Sequence, residues 1–68
     1  MVVKVIIIGN EKIVKETDWS NITVGELVKK LGLLITEYIV LKNNMIVTED
    51  DIVNDGDEVV LYPAKSGG

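Results

Sequence analysis

The sequence predicts an α+β fold in which a mixed sheet of about five strands packs on one helix. A nearly continuous β-branched run, Val2–Ile8, opens the chain and is typical of a central strand. A second apolar strand, Glu58–Tyr62, lies near the end of the chain. Between them, one segment has apolar residues at helical spacing. Because a lone helix must bury its apolar stripe, we expect it to cover one face of the sheet.

The first two strands are expected to form a hairpin. Gly9-Asn10 is a turn signal, and the following segment Lys12–Trp19 predicts a second, antiparallel strand. Its alternation is imperfect, because Ile13 and Val14 fall on opposite faces. Which face of this strand is buried therefore stays open.

The helix is predicted from its capping signals as well as from its periodicity. Thr23 and Glu26 have capping-box spacing, in which each side chain satisfies a free backbone N–H of the first turn. Gly32 stands where a left-handed residue ends a helix, which gives about ten residues. Gly25 costs roughly 1 kcal/mol relative to Ala inside a helix. The apolar stripe consists of Val24, Leu27, Val28 and Leu31.

The second half of the chain predicts short strands separated by polar turns. Asn43-Asn44 suits a tight turn, because Asn tolerates positive φ. Ile52 and Val53 are expected to anchor an acidic loop, and Pro63 to end the last strand. The strands of this half are Glu37–Lys42, Met45–Thr48 and Glu58–Tyr62.

This element order predicts a β-grasp fold, with the first and last strands parallel and adjacent in the middle of the sheet. We expect a single domain over residues 1–63, followed by a flexible tail, residues 64–68, that ends in Gly67-Gly68. Glycine adds nothing to a core and loses the most entropy when ordered, so this ending requires an explanation.

The composition excludes several kinds of chemistry. The 68 residues include no His and no Cys, so thiol nucleophiles, His bases, Cys/His zinc sites and Ser-His-Asp triads are absent. The net charge of −4 argues against non-specific nucleic-acid binding and against an anionic membrane surface. The longest apolar run, Val5–Ile8, is too short for a membrane span or a signal peptide. We expect a soluble cytoplasmic protein that is not an enzyme.

The element order, the stretch "NDGDEVVLYP" and the terminal Gly67-Gly68 together resemble the ubiquitin-like sulfur carriers. This group includes the thiamine- and molybdopterin-pathway carriers, the eukaryotic ubiquitin-related modifier and the small archaeal modifiers. The segment "KNNMIVTEDDIVNDGDEV" is similar to their hairpin and acidic loop, and the resemblance covers essentially the whole chain.

The resemblance implies that the carboxylate of Gly68 is the reacting group and that Gly67 is the slim residue behind it. In that family an adenylyltransferase similar to ubiquitin-activating enzymes uses Mg-ATP to adenylate the terminal carboxylate. Sulfur from a donor then displaces AMP and leaves a thiocarboxylate, which serves a cofactor synthase or tRNA thiolation. In the modifier branch the activated carboxyl is joined to a lysine of a target protein. The carrier itself is expected to bind no cofactor.

A second candidate site is the sheet face opposite the helix. If Val5 and Val59 face the helix, alternation turns the residues beside them outward. The resemblance implies that the activating enzyme docks on this face, and Lys65 is a candidate contact to an acidic edge of that enzyme. The candidate partner-binding residues are Ile6, Ile8, Val60, Tyr62 and Lys65, with Ile39 or Leu41 as an extension.

Two alternatives stay open. The chain could be a β-grasp interaction module with an inert tail, which deletion of Gly68 would distinguish from a carrier. The acidic run from Glu49 to Glu58 could in principle bind a divalent cation, although it lacks the ligand spacing of an EF-hand loop. A solvated loop explains the run more simply.

Overall fold

The computed structural model describes residues 2–64 of the chain. Five strands form one sheet in the order β2-β1-β7-β4-β5, and a pair of two-residue strands, β3 and β6, forms a second sheet. The strands are β1 Val3–Ile7, β2 Ile13–Thr17, β3 Ile22–Thr23, β4 Tyr38–Lys42, β5 Met45–Ile46, β6 Ile52–Val53 and β7 Glu58–Pro63. The helix α1 spans Val24–Lys30, and a 3₁₀ turn spans Ile35–Glu37.

The centre of the sheet agrees with the prediction. Strands β1 and β7 are parallel neighbours, with Val5 opposite Val59, while β2 and β4 flank them in antiparallel orientation. This is the predicted β-grasp arrangement. The helix covers one face, and the buried core between helix and sheet consists of Val3, Val5, Val24, Leu27, Val28, Val40, Val53, Val59 and Leu61.

The helix begins at the predicted cap, but the capping box is only half formed. The Glu26 N–H donates to the Thr23 hydroxyl at 3.1 Å, as expected. The Glu26 carboxylate instead accepts from the Thr23 hydroxyl at 3.4 Å, rather than from the Thr23 backbone N–H. The helix has seven residues rather than about ten, and Gly32 follows it with φ +77°, a conformation that glycine adopts without a Cβ penalty.

The interpretation of Gly25 as a small cost to the helix is incomplete, because this residue lies against the acidic loop. A Cβ at Gly25 would lie 3.3 Å from the Glu49 Cβ and 3.4 Å from the Glu49 carbonyl oxygen. The Gly25 N–H donates to the Glu49 carbonyl at 3.0 Å, and the Val24 N–H donates to the Asp51 carbonyl at 2.8 Å. Backbone carbonyls of the loop therefore satisfy amides of the first helical turn.

The acidic loop also contains a strand pair that the sequence does not predict. Ile22 and Thr23 pair with Val53 and Ile52 in antiparallel register. Val53 is fully buried, as expected of an anchor, but Ile52 is 42% exposed. Successive residues of a strand point to opposite faces, so only one of the two can enter the core.

Strand β2 buries neither of its faces. Four of its five residues are exposed, including Ile13 and Val14, and β2 is an outer strand of the sheet. The sequence leaves open which face of this strand is buried. In the structure neither face is, because the strand lies at the edge of the sheet.

Candidate functional site

The sheet face opposite α1 carries a continuous row of apolar side chains across all five strands. Ile6 on β1 lies opposite Val14 on β2 and Val60 on β7. Val60 in turn lies opposite Leu41 on β4, which lies opposite Ile46 on β5. We call Val14, Ile6, Val60, Leu41 and Ile46 the central row. Alternation explains its position, because the residues on either side of Val60 along β7, Val59 and Leu61, point into the core.

A second apolar row lies beside the central row, toward the end of β7. Tyr62 is opposite Ile39, and the Ile8 N–H donates to the Leu61 carbonyl at 2.9 Å, which places Ile8 next to Tyr62. We call Ile8, Tyr62 and Ile39 the terminal row. The two rows together include every described residue that the sequence nominated for partner binding.

The outer strands and the terminal row of this face are more exposed than its centre. Tyr62 and Ile39 are 45% and 46% exposed, and Val14 and Ile46 are 49% and 75% exposed. Ile6 is only 9% exposed, because its neighbours Val14 and Val60 cover it from both sides. The expectation that Ile6 offers an accessible contact surface is therefore wrong, although its position on the open face is confirmed.

Charged and polar residues bound the apolar rows at the opposite end of the face. Lys4 on β1 lies opposite Glu16 on β2 and Glu58 on β7. Next to them, the Asn43 N–H donates to the Glu58 carbonyl at 2.8 Å. Because β7 runs from Glu58 to Pro63, the face changes from charged to apolar in the direction in which the chain approaches its C-terminus.

The described chain leaves the sheet beside the terminal row. The Ala64 N–H donates to the Glu37 carbonyl at 2.9 Å, one residue beyond the end of β7. Lys65, Gly67 and Gly68, the remaining predicted site residues, lie outside the described residues. The chain thus reaches Ala64, four residues before its end, at the apolar side of the open face.

The acidic loop has a structural arrangement of its own. Asp57 accepts hydrogen bonds from the Asn54 N–H at 2.8 Å and from the Asn43 side-chain amide at 3.0 Å. The bond from Asn54, followed by that from Asn43, lowers the pKa of Asp57. Asp51 accepts in the same way from the Thr48 N–H at 2.8 Å. These carboxylates cap turns, and within residues 2–64 no three acidic side chains converge as metal ligands would.

Two residues of the central row were not nominated from the sequence. Val14 and Ile46 lie on the outer strands, and both are apolar and exposed. The local pattern of β2 or β5 does not show which residues of the adjacent strand lie opposite Val14 or Ile46. The signal that assigns them to this face is the register of the complete sheet, in which Val14 follows Ile6 and Ile46 follows Leu41. In the described part of the chain, no helix is long and apolar enough to span a membrane.

Comparison with known proteins agrees with this geometry. The chain is similar over its full length to the crystal structure of SAMP1 from Haloferax volcanii, with a TM-score of 0.69, 20% identity and complete coverage of both chains. It is also similar to a ubiquitin from Caldiarchaeum subterraneum, with a TM-score of 0.60, 22% identity and coverage of 100% of this chain and 98% of the other. These structures share the ubiquitin-like β-grasp fold. The profile of the ThiS family matches residues 5–68. The chain therefore belongs to the ThiS family and has the ubiquitin-like β-grasp fold.

Proposed function

We propose that this protein is a sulfur carrier or protein modifier that is activated at the carboxylate of Gly68 by a separate adenylating enzyme. The observation that supports the proposal most directly is the apolar open face, which lies beside the point where β7 leads to the Gly-Gly ending. A partner that docks on this face has the reacting carboxylate within reach. The protein then acts as a substrate in the cytoplasm, rather than as an enzyme.

The chemistry requires activation because a carboxylate is a poor electrophile. One oxygen of the Gly68 carboxylate attacks the α-phosphorus of ATP, supplied with Mg²⁺ by the partner, and pyrophosphate leaves. Hydrosulfide from a sulfur donor attacks the carbonyl carbon of the resulting anhydride. The C–O bond to AMP breaks, a proton is released, and a thiocarboxylate remains. In the modifier branch, a lysine amine attacks the same carbon, the C–O bond to AMP breaks, the nitrogen loses a proton and an isopeptide bond forms.

The length of the tail constrains how the partner is arranged. Four residues follow Ala64, and an extended chain spans at most about 3.5 Å per residue. The reacting carbon therefore lies no more than about 14 Å from Ala64. Gly67 and Gly68 carry no Cβ, so they fit a channel too narrow for other residues. We expect Lys65 to contact an acidic edge at the entrance of that channel.

The open face supplies the docking surface in this proposal. Tyr62 is the aromatic side chain on the face and is partly exposed beside Ile39 and Ile8. Aromatic side chains that bury their area in a partner commonly dominate binding energies. Val60 extends the contact into the central row. Ile6 lies opposite Val60 but is nearly buried, so it contributes little contact area of its own.

The experiment that tests the proposal measures ATP–pyrophosphate exchange by the host's adenylating enzyme with intact protein and with a chain that lacks Gly68. We expect the exchange to disappear on deletion while the fold, followed by circular dichroism, is retained. A variant with Lys29→Ala, an exposed residue of the helix that covers the opposite face of the sheet, is the control and should support exchange. If ATP–pyrophosphate exchange is unchanged without Gly68, the proposal is wrong, and the protein is better described as an interaction module with an inert tail.

A second measurement separates the carrier from the modifier. Trypsin cleaves after Lys65, so conjugation through Gly68 leaves a Ser-Gly-Gly branch on target lysines. The free protein is examined in the same digest for replacement of one terminal oxygen by sulfur. Branched lysines identify a modifier, and a thiocarboxylate without branches identifies a dedicated sulfur carrier for a cofactor synthase or tRNA thiolation.

A further inference from the structure

The two outer strands of the sheet differ in how much unpaired backbone they offer. Strand β5 has two residues, but β2 has five and lies at the end of the strand order. Ile13 and Val14 of β2 are 45% and 49% exposed. Within residues 2–64 no segment pairs with the outer edge of β2. An exposed outer strand of this length offers unpaired backbone N–H and C=O groups to another strand.

The hydrogen bonds of β1 determine which backbone groups of β2 point outward. Lys4 and Ile8 direct their N–H groups to carbonyls of Asp57 and Leu61, on the β7 side. Successive residues of a strand direct their backbone groups to opposite sides, so Val3, Val5 and Ile7 bond to β2. Their partners across the hairpin are Thr17, Lys15 and Ile13. The free N–H and C=O groups of the outer edge therefore belong to Val14 and Glu16, and to Lys12 directly before the strand.

Charge and backbone hydrogen bonding together favour one register for antiparallel pairing of this edge with an identical edge. If Val14 lies opposite Val14 of a second copy, Lys12 lies opposite Glu16 twice, once on each side of the twofold axis. A shift by one hydrogen-bonded step in one direction places Lys12 opposite Val14 and Glu16 opposite Asn10. A shift in the other direction places Val14 opposite Glu16. The register centred on Ile13 also pairs opposite charges, Glu11 with Lys15, but Glu11 lies in the bend before the strand. That register also leaves the outward-directed Glu16 opposite the bend, whereas the register centred on Val14 pairs all three outward-directed residues of each copy.

We propose that two copies of this protein associate through antiparallel pairing of β2, centred on Val14. Pairing forms up to six backbone hydrogen bonds, from Lys12, Val14 and Glu16 of each copy. The twofold axis is perpendicular to the sheet, so both open faces lie on the same side of a ten-stranded sheet. Val14 is the outermost residue of the central row, and pairing therefore joins the two rows into one.

The geometry also predicts how strong this association is. One pair of five-residue strands buries less than the roughly 1,200 Å² of a standard interface, so we expect a weak dimer that forms only at high protein concentration. Open-ended polymers are not expected, because the other edge of each sheet, β5, has only two residues. The association does not involve Gly68, so its tests are independent of the tests of the proposed function.

The first test follows amide hydrogen exchange and sedimentation of the full chain over a range of concentrations. We expect exchange at Val14 and Glu16 to slow as the concentration rises, together with a shift from monomer to dimer. Exchange at Ile13 and Lys15, which already bond to β1, should not change with concentration. A monomer at all concentrations up to several millimolar overturns the proposal, as does a dimer whose protected amides lie outside residues 12–16.

Charge reversal gives a second test that does not depend on a single variant. Lys12→Glu makes both terminal pairs Glu-Glu, and Glu16→Lys makes both Lys-Lys, so each variant alone should associate at least about tenfold more weakly. An equimolar mixture restores both opposite-charge pairs and should form the heterodimer with the original affinity. Lys29→Glu, on the helix, is the control for Lys12→Glu, because it changes the net charge by the same amount and sign. A mixture that associates no better than either variant overturns the register.

Discussion

Asn43 and Asp57 are 14 residues apart in sequence, and the Asn43 side-chain amide donates to the Asp57 carboxylate at 3.0 Å. The same Asn43 side chain accepts from the Glu58 N–H at 3.0 Å, so one residue joins the turn between β4 and β5 to the start of β7. Asn43 and Asn44 both have positive φ, 52° and 71°. This is the backbone conformation of a tight two-residue hairpin, for which Asn is well suited.

Replacement of Asn43 should separate its backbone role from its side-chain role. Asn43→Gly keeps the positive φ and loses two hydrogen bonds, which we expect to lower the free energy of unfolding by about 1–2 kcal/mol. Asn43→Ala loses the same hydrogen bonds and also places a residue with a Cβ at positive φ. This variant should therefore lower the free energy of unfolding by about 1 kcal/mol more than Asn43→Gly. Urea unfolding followed by the fluorescence of Trp19, which packs against the core, measures both. Equal stabilities of the two variants would contradict the backbone role.

The lowered pKa of Asp57 predicts how stability depends on pH. Because the pKa is lower in the folded state than in the unfolded state, the contribution of Asp57 is fully present above the unfolded value of about 4. It is lost as the pH falls through the folded value. Asp57→Asn should therefore be less stable than the parent at pH 7, and the difference should shrink below about pH 4. Urea unfolding of both proteins between pH 2 and pH 7 tests this, and a pH-independent difference would count against it.

Gly25→Ala should fail to stabilise the helix. An exposed helical Gly replaced by Ala commonly stabilises by about 1 kcal/mol, but here the new Cβ would lie 3.3 Å from the Glu49 Cβ. We expect no gain or a net loss in the free energy of unfolding. In a Glu49→Gly background the closest atom is absent, and part of the helical gain should return. If Gly25→Ala raised the free energy of unfolding of the parent protein by the full gain of about 1 kcal/mol, the loop at Glu49 would have to move aside at no cost, which would contradict this prediction.

Substitution on the open face should affect partner binding without unfolding the protein. Tyr62→Ser combined with Val60→Thr should weaken binding to the proposed adenylating enzyme by about tenfold or more, measured by calorimetry. Leu34→Ser is the matched control, because Leu34 is 63% exposed but lies in the turn after the helix rather than on the sheet. Ile6→Ala is expected to lower stability by about 2–4 kcal/mol, because Ile6 is nearly buried. Unchanged affinity of the Tyr62 and Val60 double variant would exclude this docking surface.

The sequence predicts the elements whose local signals agree with their long-range contacts. The cap at Thr23, the left-handed residue Gly32 and the Asn43-Asn44 turn all follow from side-chain chemistry within a few residues. The parallel pairing of β1 and β7 follows from the requirement that the helix cover one sheet face. These predictions are confirmed.

The elements that the sequence does not predict depend on contacts with distant residues. Ile22–Thr23 and Ile52–Val53 are too short to show any periodicity, and only their mutual pairing makes them strands. The 3₁₀ turn Ile35–Glu37 takes the place of the predicted start of β4, because the chain must turn before it enters the sheet. Ile6 has the correct alternation for an exposed residue, yet its neighbours on both sides cover it. The exposure of a side chain on the sheet depends on the residues that lie opposite it on adjacent strands, and the sequence of one strand does not determine these.

The parallel pairing of β1 and β7 gives the molecule a polarity with a practical consequence. Both strands run in the same direction, so Val3 lies at the charged end of the sheet while Pro63 lies at the apolar end. An affinity tag or a fluorescent fusion attached before Val2 therefore sits about 15 Å or more from the departure point of the tail, since each strand residue advances about 3.3 Å. If Gly68 is activated as proposed, fusions at the N-terminus should leave its carboxylate available, whereas any extension at the C-terminus would convert that carboxylate to an amide.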